Sequence, residues 1–434
     1  MKNYFDYKKF DWYILFTLIV IIFIKFLDYE HYPVHDEVKS ITLVSSLKTF
    51  FLKFGGLNHY ISTSIGNFII HIFGVDLLKL RLISLISFFI IIFIFQKKLQ
   101  DLTKTFSLIL ICLFSDIIIN YYSLYRGYAI SSLLFTYIFF LVNDDENKIH
   151  NSKIVFLILS VLIFHNQSTL FMAIPILLVI SINLLKINKF DFYPYKIIFV
   201  YFCIPFFLML FMFSFAEGIK IKKLFLNFSD YSQLIQIISK DILTILYSGF
   251  MDFFFNKFTT VSLYENIDKF IDNIKSHILL FSIFFISLIK SFYLLFLKKE
   301  FKPINFVILS FFIIFFIINK NGPARIYTGF VSFFLIYILK DINFNLFINK
   351  KFNIDLIIRI SLLTVIVFKI FNIDFIKTEN LKNQYIFFSN KIDNCNFPSN
   401  KKTSEFNKHI EYYVYLNECK KKPNISLFYK FYKS

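Results

Sequence analysis

The stretch "LISLISFFIIIFIFQKK", residues 82–98, decides the fold class of this chain. Its first fourteen residues are apolar apart from two serines, and the run ends at a glutamine and two lysines. A helix made from such a run is nearly long enough to cross the ~30 Å hydrocarbon layer of a bilayer. The stretch therefore predicts a membrane-spanning helix with a charged end at the membrane surface.

Ten other apolar runs resemble it, and the hydrophobic fraction of 57%, with a mean hydropathy of +0.63, exceeds what a soluble core could bury. The sequence predicts an all-α integral membrane protein with about eleven transmembrane helices in residues 1–371. The candidate spans are 12–27, 82–95, 106–119, 128–142, 154–164, 170–185, 197–215, 278–297, 304–318, 326–339 and 356–371.

The net charge of +18 comes largely from lysines that form short clusters between the apolar runs. This placement is typical of the positive-inside rule and argues against nucleic acid as a partner. The clusters lie at 97–104, 148–153, 186–189, 298–299 and 340–351. They predict a bacterial inner (plasma) membrane protein with a cytoplasmic N-terminus and an extracytoplasmic C-terminus.

Three long segments fall on the predicted outer side: residues 28–81, residues 216–277 and the tail 372–434. In the first, apolar residues recur every three positions from Val38 to Phe50, which predicts a helix lying in the membrane interface. A second amphipathic run, 60–73, leads into the next span. We therefore expect the first loop to contain interfacial helices and to fold back onto the membrane.

The four cysteines divide by their surroundings. Cys112 and Cys203 lie in apolar runs and are predicted to be packing residues. Cys395 and Cys419 share the polar tail and can form a disulfide if that tail is extracytoplasmic.

Several short motifs follow one another on the predicted outer side. They are the acidic pair 36–37, Asn58-His59, Phe73-Gly74, Leu80-Arg81-Leu82, "SLYRGYA" at 123–129, His165, and "ARIY" at 324–327. Their order resembles the C-type glycosyltransferases that use polyprenyl-phosphate sugars, in particular the dolichyl-phosphate-mannose protein mannosyltransferase and lipid A aminoarabinose transferase group. The resemblance covers the first 180 residues by motif and the rest by topology, and the prolines that commonly follow Asn-His in that group are absent.

The resemblance implies transfer of a sugar from a polyprenyl-phosphate donor to an extracytoplasmic acceptor, which is a lipid, a glycan or a protein. An inverting displacement of this kind needs a base for the acceptor hydroxyl and cations for the phosphate that leaves. We expect Asp36, beside Glu37, to supply the catalytic carboxylate. The alternative is that both acids only cap the interfacial helix.

Arg126 and Arg325 are the predicted phosphate-binding residues. A guanidinium group keeps its charge and holds two phosphate oxygens at once. An arginine at a helix end can also extend its charge to the membrane surface without binding substrate. The position of Arg81 fits such a helix-end anchor.

Four other residues are candidates for substrate binding: His59, Tyr128, His165 and Asp116. The histidines can bind phosphate, sugar hydroxyls or a divalent cation, or can be hydrogen-bonded structural residues. Tyr128 can stack on sugar or belong to an interfacial aromatic belt, and Asp116, inside the third span, can instead pair with a helix-end cation. No cofactor is predicted, and a divalent cation is not indicated because the sequence has no zinc-spaced Cys/His cluster.

Two other classes of protein share the many spans. An O-antigen-type polysaccharide polymerase would carry a large late loop rich in arginine, and residues 216–277 contain none. A transporter or flippase would show broken helices near the bilayer midplane and an internal repeat, which this sequence does not display. The predicted partners are therefore a lipid-linked sugar, its acceptor and the bilayer.

Overall fold

The computed structural model describes residues 14, 16–17, 19–20, 37–38, 40–41, 59–144, 148–165, 169–187, 192–209, 279, 282–318, 328–342, 354–371, 382–390 and 405–420. These residues form helices and turns with no strand among them, which confirms the all-α fold class. The main helices are α1 (Tyr60–Phe73), α2 (Leu77–Leu99), α3 (Leu102–Phe114), α4 (Asp116–Ser123), α5 (Tyr128–Val142), α6 (Lys148–His165), α7 (Leu170–Ile187), α8 (Tyr193–Ile198), α9 (Pro303–Ile318), α10 (Val331–Lys340), α11 (Ile354–Phe371), α12 (Lys382–Ser389) and α13 (Glu405–Glu418). Two short π-helices, Phe199–Cys203 and Tyr293–Leu297, accompany them.

Short polar residues set the helix ends around the opening stretch. The Asp76 carboxylate accepts hydrogen bonds from the backbone N–H groups of Leu78 and Lys79 and so caps the start of α2. Asp101 caps α3 in the same way through the N–H of Lys104. Gly74 ends α1 with a φ of 81°, a left-handed conformation that favours glycine.

The predicted third span, residues 106–119, is not one continuous helix. Ser115 has an extended backbone between α3 and α4, and its side-chain oxygen accepts a hydrogen bond from the N–H of Ile118 at 3.3 Å. A serine that caps the next helix interrupts the first because its own backbone leaves the helical conformation. Asp116 is therefore the first residue of α4 rather than an interior residue of a span.

The longer helices run between two ends of the molecule. We call the end that carries His59, Arg126 and His165 the histidine end. The opposite end, which carries Lys104 and Lys340, is the lysine end. The helices α2 and α5 start at the histidine end, and α6 returns to it at His165. At 1.5 Å per residue, these helices of 15 to 23 residues separate the two ends by ~22–35 Å.

The predicted lysine clusters meet at the lysine end. The ammonium group of Lys104 donates to the carbonyl of Lys340 at 2.8 Å, and Lys340 contacts the Asn143 side chain at 3.2 Å. Lys290 forms an ion pair with Asp341 at 3.0 Å. Residues far apart in sequence thus place their positive charges on one side of the helices.

Phenylalanines form much of the buried core. Phe334 on α10 contacts Phe284 and Phe311, with ring centroids 4.5 Å and 5.0 Å apart. Phe330 completes this aromatic cluster, which joins α9 to α10. The phenylalanine content of the sequence therefore supplies helix-to-helix packing here.

The C-terminal helices pack on the predicted first loop. In α13, Ile410, Tyr413 and Val414 are buried in one cluster with Val38 and Ile41. Burial raises the pKa of the Tyr413 phenol, and the charges of Tyr385 and Glu37 act in the same direction. The tail thus contains a pair of helices that covers the segment around residue 37.

Cys419, at the end of this pair, is disulfide-bonded, while Cys112 and Cys203 are free thiols. Cys395 is the remaining cysteine of the sequence and lies outside the described residues. Cys112 is buried, as predicted, whereas Cys203 is only half-buried.

Among the described residues, Leu77–Leu99 is the one helix that is both long and apolar enough to cross a membrane. Nine shorter apolar helices of 10–17 residues accompany it by the same measure. One helix of this kind is weak evidence for a membrane protein, since a buried core helix can have the same length and composition.

Candidate active site

The turn at residues 123–128, with the sequence SLYRGY, organises the histidine end. It joins α4 to α5 and is closed by a hydrogen bond from the N–H of Arg126 to the carbonyl of Leu124 at 2.7 Å. The Ser84 hydroxyl, from α2, donates to the carbonyls of both Leu124 and Arg126. The backbone of the 123–128 turn is thereby fixed against α2.

The Glu37 carboxylate forms a buried ion pair with Arg81 and also binds the backbone of this turn. Arg81 donates through Nε and Nη2 to the two carboxylate oxygens of Glu37, at 2.9 Å and 2.7 Å. The N–H of Tyr125 donates to the same carboxylate at 2.7 Å. Since both carboxylate oxygens are engaged and Glu37 is fully buried, the geometry suits a residue that positions its neighbours.

The expected helix-end role of Arg81 is wrong. Its side chain is 4% exposed and binds Glu37 inside the protein, so it does not extend to a membrane surface. The physical reason is that α2 begins at Leu77, which places Arg81 in the second turn, on the face that packs against residues 38 and 41. A buried arginine needs such a fixed anionic partner because an unpaired buried charge is strongly unfavourable.

His165 braces the same turn from α6. Its Nδ1 accepts a hydrogen bond from the N–H of Ile61 at 2.9 Å, and its Nε2 lies 3.0 Å from the carbonyl oxygen of Gly127. This pair of contacts fits the neutral ring with its proton on Nε2. Both ring nitrogens therefore hold backbone groups of α1 and of the 123–128 turn.

Gly127 permits the close approach of two histidines. A Cβ atom at this position would lie 2.3 Å from Nε2 of His165 and 2.8 Å from Nδ1 of His59. The ring of His59 is buried and meets the Tyr128 ring edge-on, with centroids 4.6 Å apart. The His59 and His165 ring centroids are 5.8 Å apart.

Arg126 stands at the margin of this cluster. Its guanidinium carbon lies 5.8 Å from the centroid of the Tyr128 ring, and its side chain is half-buried. A cation at this distance is attracted by the face of the aromatic ring. The structure thus brings together Glu37, His59, Arg126, Tyr128 and His165, five of the eight residues predicted for the site.

The segment that follows Arg325 also reaches the turn. The carbonyl of Thr328 accepts a hydrogen bond from the Tyr122 hydroxyl at 3.1 Å and lies 3.4 Å from the Ser132 hydroxyl. Gly329 faces Tyr128, with 3.7 Å between that ring and a Cβ built at residue 329. Residue 328 is therefore held beside the 123–128 turn.

Three predicted site residues are not placed by these contacts. Asp36 and Arg325 lie outside the described residues, and the side chain of Asp116 does as well, although its backbone starts α4. Among the described residues, Glu37 binds the 123–128 turn through the Tyr125 N–H, and Thr328 binds the hydroxyl of Tyr122, the residue directly before that turn.

Sequence reasoning missed the residues that hold the site together. Ser84 and Gly127 received no role, and Arg81 received the wrong one. An ionisable residue in the early turns of an apolar helix is a signal for a buried partner of opposite charge. That signal was present at Arg81, with Glu37 in the same predicted loop.

No family model, curated protein or solved structure matches this chain. Within the described part of the chain, no group of three or more His, Cys, Asp or Glu side chains is arranged to hold a metal ion. The chemistry of the histidine end therefore has to be argued from its own residues.

Proposed function

We propose that this chain is an integral membrane glycosyltransferase with about eleven spans, which moves a sugar from a polyprenyl phosphate to an extracytoplasmic acceptor. The observation that carries the proposal is the convergence of separate segments on the 123–128 turn. That turn binds Glu37 through the Tyr125 N–H and His165 through the Gly127 carbonyl, and Tyr122, the residue directly before the turn, donates to the Thr328 carbonyl.

Helix lengths support the membrane location. The 23 residues of α2 extend ~35 Å, and the 18 residues each of α6, α7 and α11 extend ~27 Å. These lengths are close to the ~30 Å of a hydrocarbon layer. The gathering of lysines at one end then suits the cytoplasmic side of an inner (plasma) membrane, with the histidine end outside.

The proposed reaction is an inverting displacement at the anomeric carbon. The acceptor hydroxyl oxygen forms the new bond, the bond from the anomeric carbon to the phosphate oxygen breaks, and polyprenyl phosphate leaves with the electron pair. Asp36 takes the hydroxyl proton, and Arg126 and Arg325 stabilise the charge that develops on the phosphate. No cofactor takes part.

The other residues have supporting roles in this proposal. Glu37 binds Arg81 and so fixes the backbone next to Asp36. The rings of Tyr128 and His59 are buried and meet edge-on, so they support the turn from inside the protein, and His165 maintains the shape of the turn. Asp116 is a second acid close in sequence to the 123–128 turn.

The test is the Asp36→Asn variant of the full chain, assayed with a panel of synthetic polyprenyl-phosphate sugars. We expect transfer to fall by about 100-fold or more, since a positioned base contributes 10²–10⁴. The control is Asp341→Asn, which removes an exposed carboxylate at the lysine end and should leave transfer unchanged. Full activity of Asp36→Asn would remove the base, and solute flux without consumption of any lipid-linked sugar would favour a transporter.

A further inference from the structure

The lysine end contains a cavity that the proposed transfer reaction does not use. It has a volume of about 250 Å³ and lies between the lysine-end segments of α5, α6, α7 and α9. A cavity of this size accommodates a phosphate group with the first carbon atoms of its ester.

The polar lining of the cavity suits an anion. It consists of Lys148, Asn151, Ser152, Asn183, Lys186 and one carboxylate, Asp144. Both lysines are exposed at the rim of the cavity. Two cations against one carboxylate leave a net positive lining.

Helix ends of both kinds meet at the cavity. The helices α6 and α9 begin at Lys148 and Pro303, two lining residues, and helix N-termini favour anions. The helices α5 and α7 end there, where the Asn151 side chain donates to the Leu141 carbonyl of α5 at 3.2 Å and Lys186 lies in the last turn of α7. That hydrogen bond reduces the negative potential of the α5 C-terminus.

The remaining lining is apolar. The wall of the cavity includes three buried side chains, those of Val155, Ile180 and Leu184. Phe301 lies at the rim, with 68% of its surface exposed. A ligand with a phosphate head and hydrocarbon chains therefore meets matching surfaces, which an inorganic anion would not use.

We propose that this cavity binds the phosphate head group of an anionic membrane lipid on the side opposite the candidate active site. Lys148 and Lys186 hold the phosphate, Asn183 contacts the neighbouring ester, and the acyl chains leave past Phe301. Basic cavities between helices on the cytoplasmic side are suited to such head groups. The proposal rests on the membrane location and is independent of sugar transfer.

The experiment measures lipid binding to the full chain in a neutral detergent by native mass spectrometry and by the shift in unfolding temperature. The probes are dihexanoyl phosphatidylglycerol, dihexanoyl phosphatidylcholine and inorganic phosphate. We expect phosphatidylglycerol to bind most tightly and inorganic phosphate most weakly. The variant Lys148→Gln with Lys186→Gln should bind phosphatidylglycerol about tenfold more weakly, because each basic residue near an anionic lipid contributes to affinity.

The matched control is Lys97→Gln with Lys98→Gln, which removes the same charge from exposed positions at the lysine end that do not line the cavity. It should change phosphatidylglycerol affinity by less than about twofold, since exposed charges beyond ~10 Å are screened. Equal losses in the two double variants would overturn the proposal. So would equal binding of phosphatidylglycerol and inorganic phosphate, which would assign the cavity to the free ion. Neither outcome depends on whether the chain transfers a sugar.

Discussion

The two ends of the molecule treat charge differently. At the histidine end, Arg81 is 3% exposed and binds one carboxylate through two hydrogen bonds. At the lysine end, the Lys302 side chain is 65% exposed and pairs with Glu300, and Lys148 and Lys186 stand at the surface. One end encloses its charges, and the other leaves them at the rim.

This difference shows what each end can do. A guanidinium group and a histidine ring fix backbone carbonyls and carboxylates at defined angles, so the histidine end holds the 123–128 turn in one shape. Ammonium groups on flexible stems adapt to helix ends and to solvent, so the lysine end is suited to a membrane surface. We therefore expect substitutions of the enclosed residues at the histidine end to destabilise the protein more than substitutions at the lysine end.

The largest effect is expected for Arg81→Leu. Removing the guanidinium leaves the Glu37 carboxylate charged and buried without its cationic partner, which should lower the free energy of unfolding by ~3–5 kcal/mol. The matched variant at the lysine end is Lys302→Leu. The side chains of its ion pair with Glu300 are 65% and 35% exposed, so its loss should lower the free energy of unfolding by under ~1 kcal/mol. Equilibrium unfolding in mixed SDS micelles measures both.

A double variant sharpens this result. Glu37→Leu combined with Arg81→Leu removes both charges, so its loss of stability should be smaller than the sum of the two single losses. Additive losses would mean that the two side chains do not interact. Equal effects of Arg81→Leu and Lys302→Leu would erase the difference between the two ends.

The next largest effect is expected for Gly127→Ala. The new methyl group would lie 2.3 Å from the His165 ring, so the ring or the turn must move, at a cost of ~1–3 kcal/mol. Gly329→Ala is the control, because its methyl group would meet Ser131 at 3.4 Å, close to ordinary van der Waals contact. Thermal unfolding at one scan rate compares the two, and a stable Gly127→Ala variant would show that the turn is not tightly enclosed.

The smallest effect is expected for Ser332→Ala. Its hydroxyl contacts the side chains of Ser132 at 2.7 Å and Thr136 at 2.9 Å, which joins α10 to α5. Hydrogen bonds between packed membrane helices contribute ~0.6 kcal/mol each. Since two such bonds are removed, we expect the free energy of unfolding to fall by ~0.6–1.2 kcal/mol. Ser107→Ala removes a bond to the Thr103 carbonyl within α3 only and should be closer to neutral. If the two variants unfolded at the same temperature, the Ser332 hydrogen bonds would not contribute to the packing of α10 on α5.

The sequence predicted the helices better than their contacts. The apolar run 82–95 corresponds to α2, and the run 304–318 corresponds to α9. The break at Ser115 was missed because a serine inside an apolar run can equally remain helical, hydrogen-bonded to its own helix, as Ser107 is. Only the position of the following N–H groups separates the two cases.

The site was predictable as a set of residue types but not as a network. Glu37 and Arg81 are 44 residues apart, and their pairing follows from the packing of α2 on the first loop. The polar tail gave no sign that Tyr413 and Val414 would be buried beside Val38. Such contacts depend on tertiary packing, which the period of one helix does not encode.

The most direct measurement is an experimental structure of the full chain in nanodiscs with polyprenyl phosphate bound. The proposed function predicts the phosphate at the histidine end, with an oxygen ~2.7–3.2 Å from the guanidinium of Arg126 and the carboxylate of Asp36 in the same cavity. Phosphate bound only at the lysine end, or Asp36 in lipid and remote from Arg126, would contradict it.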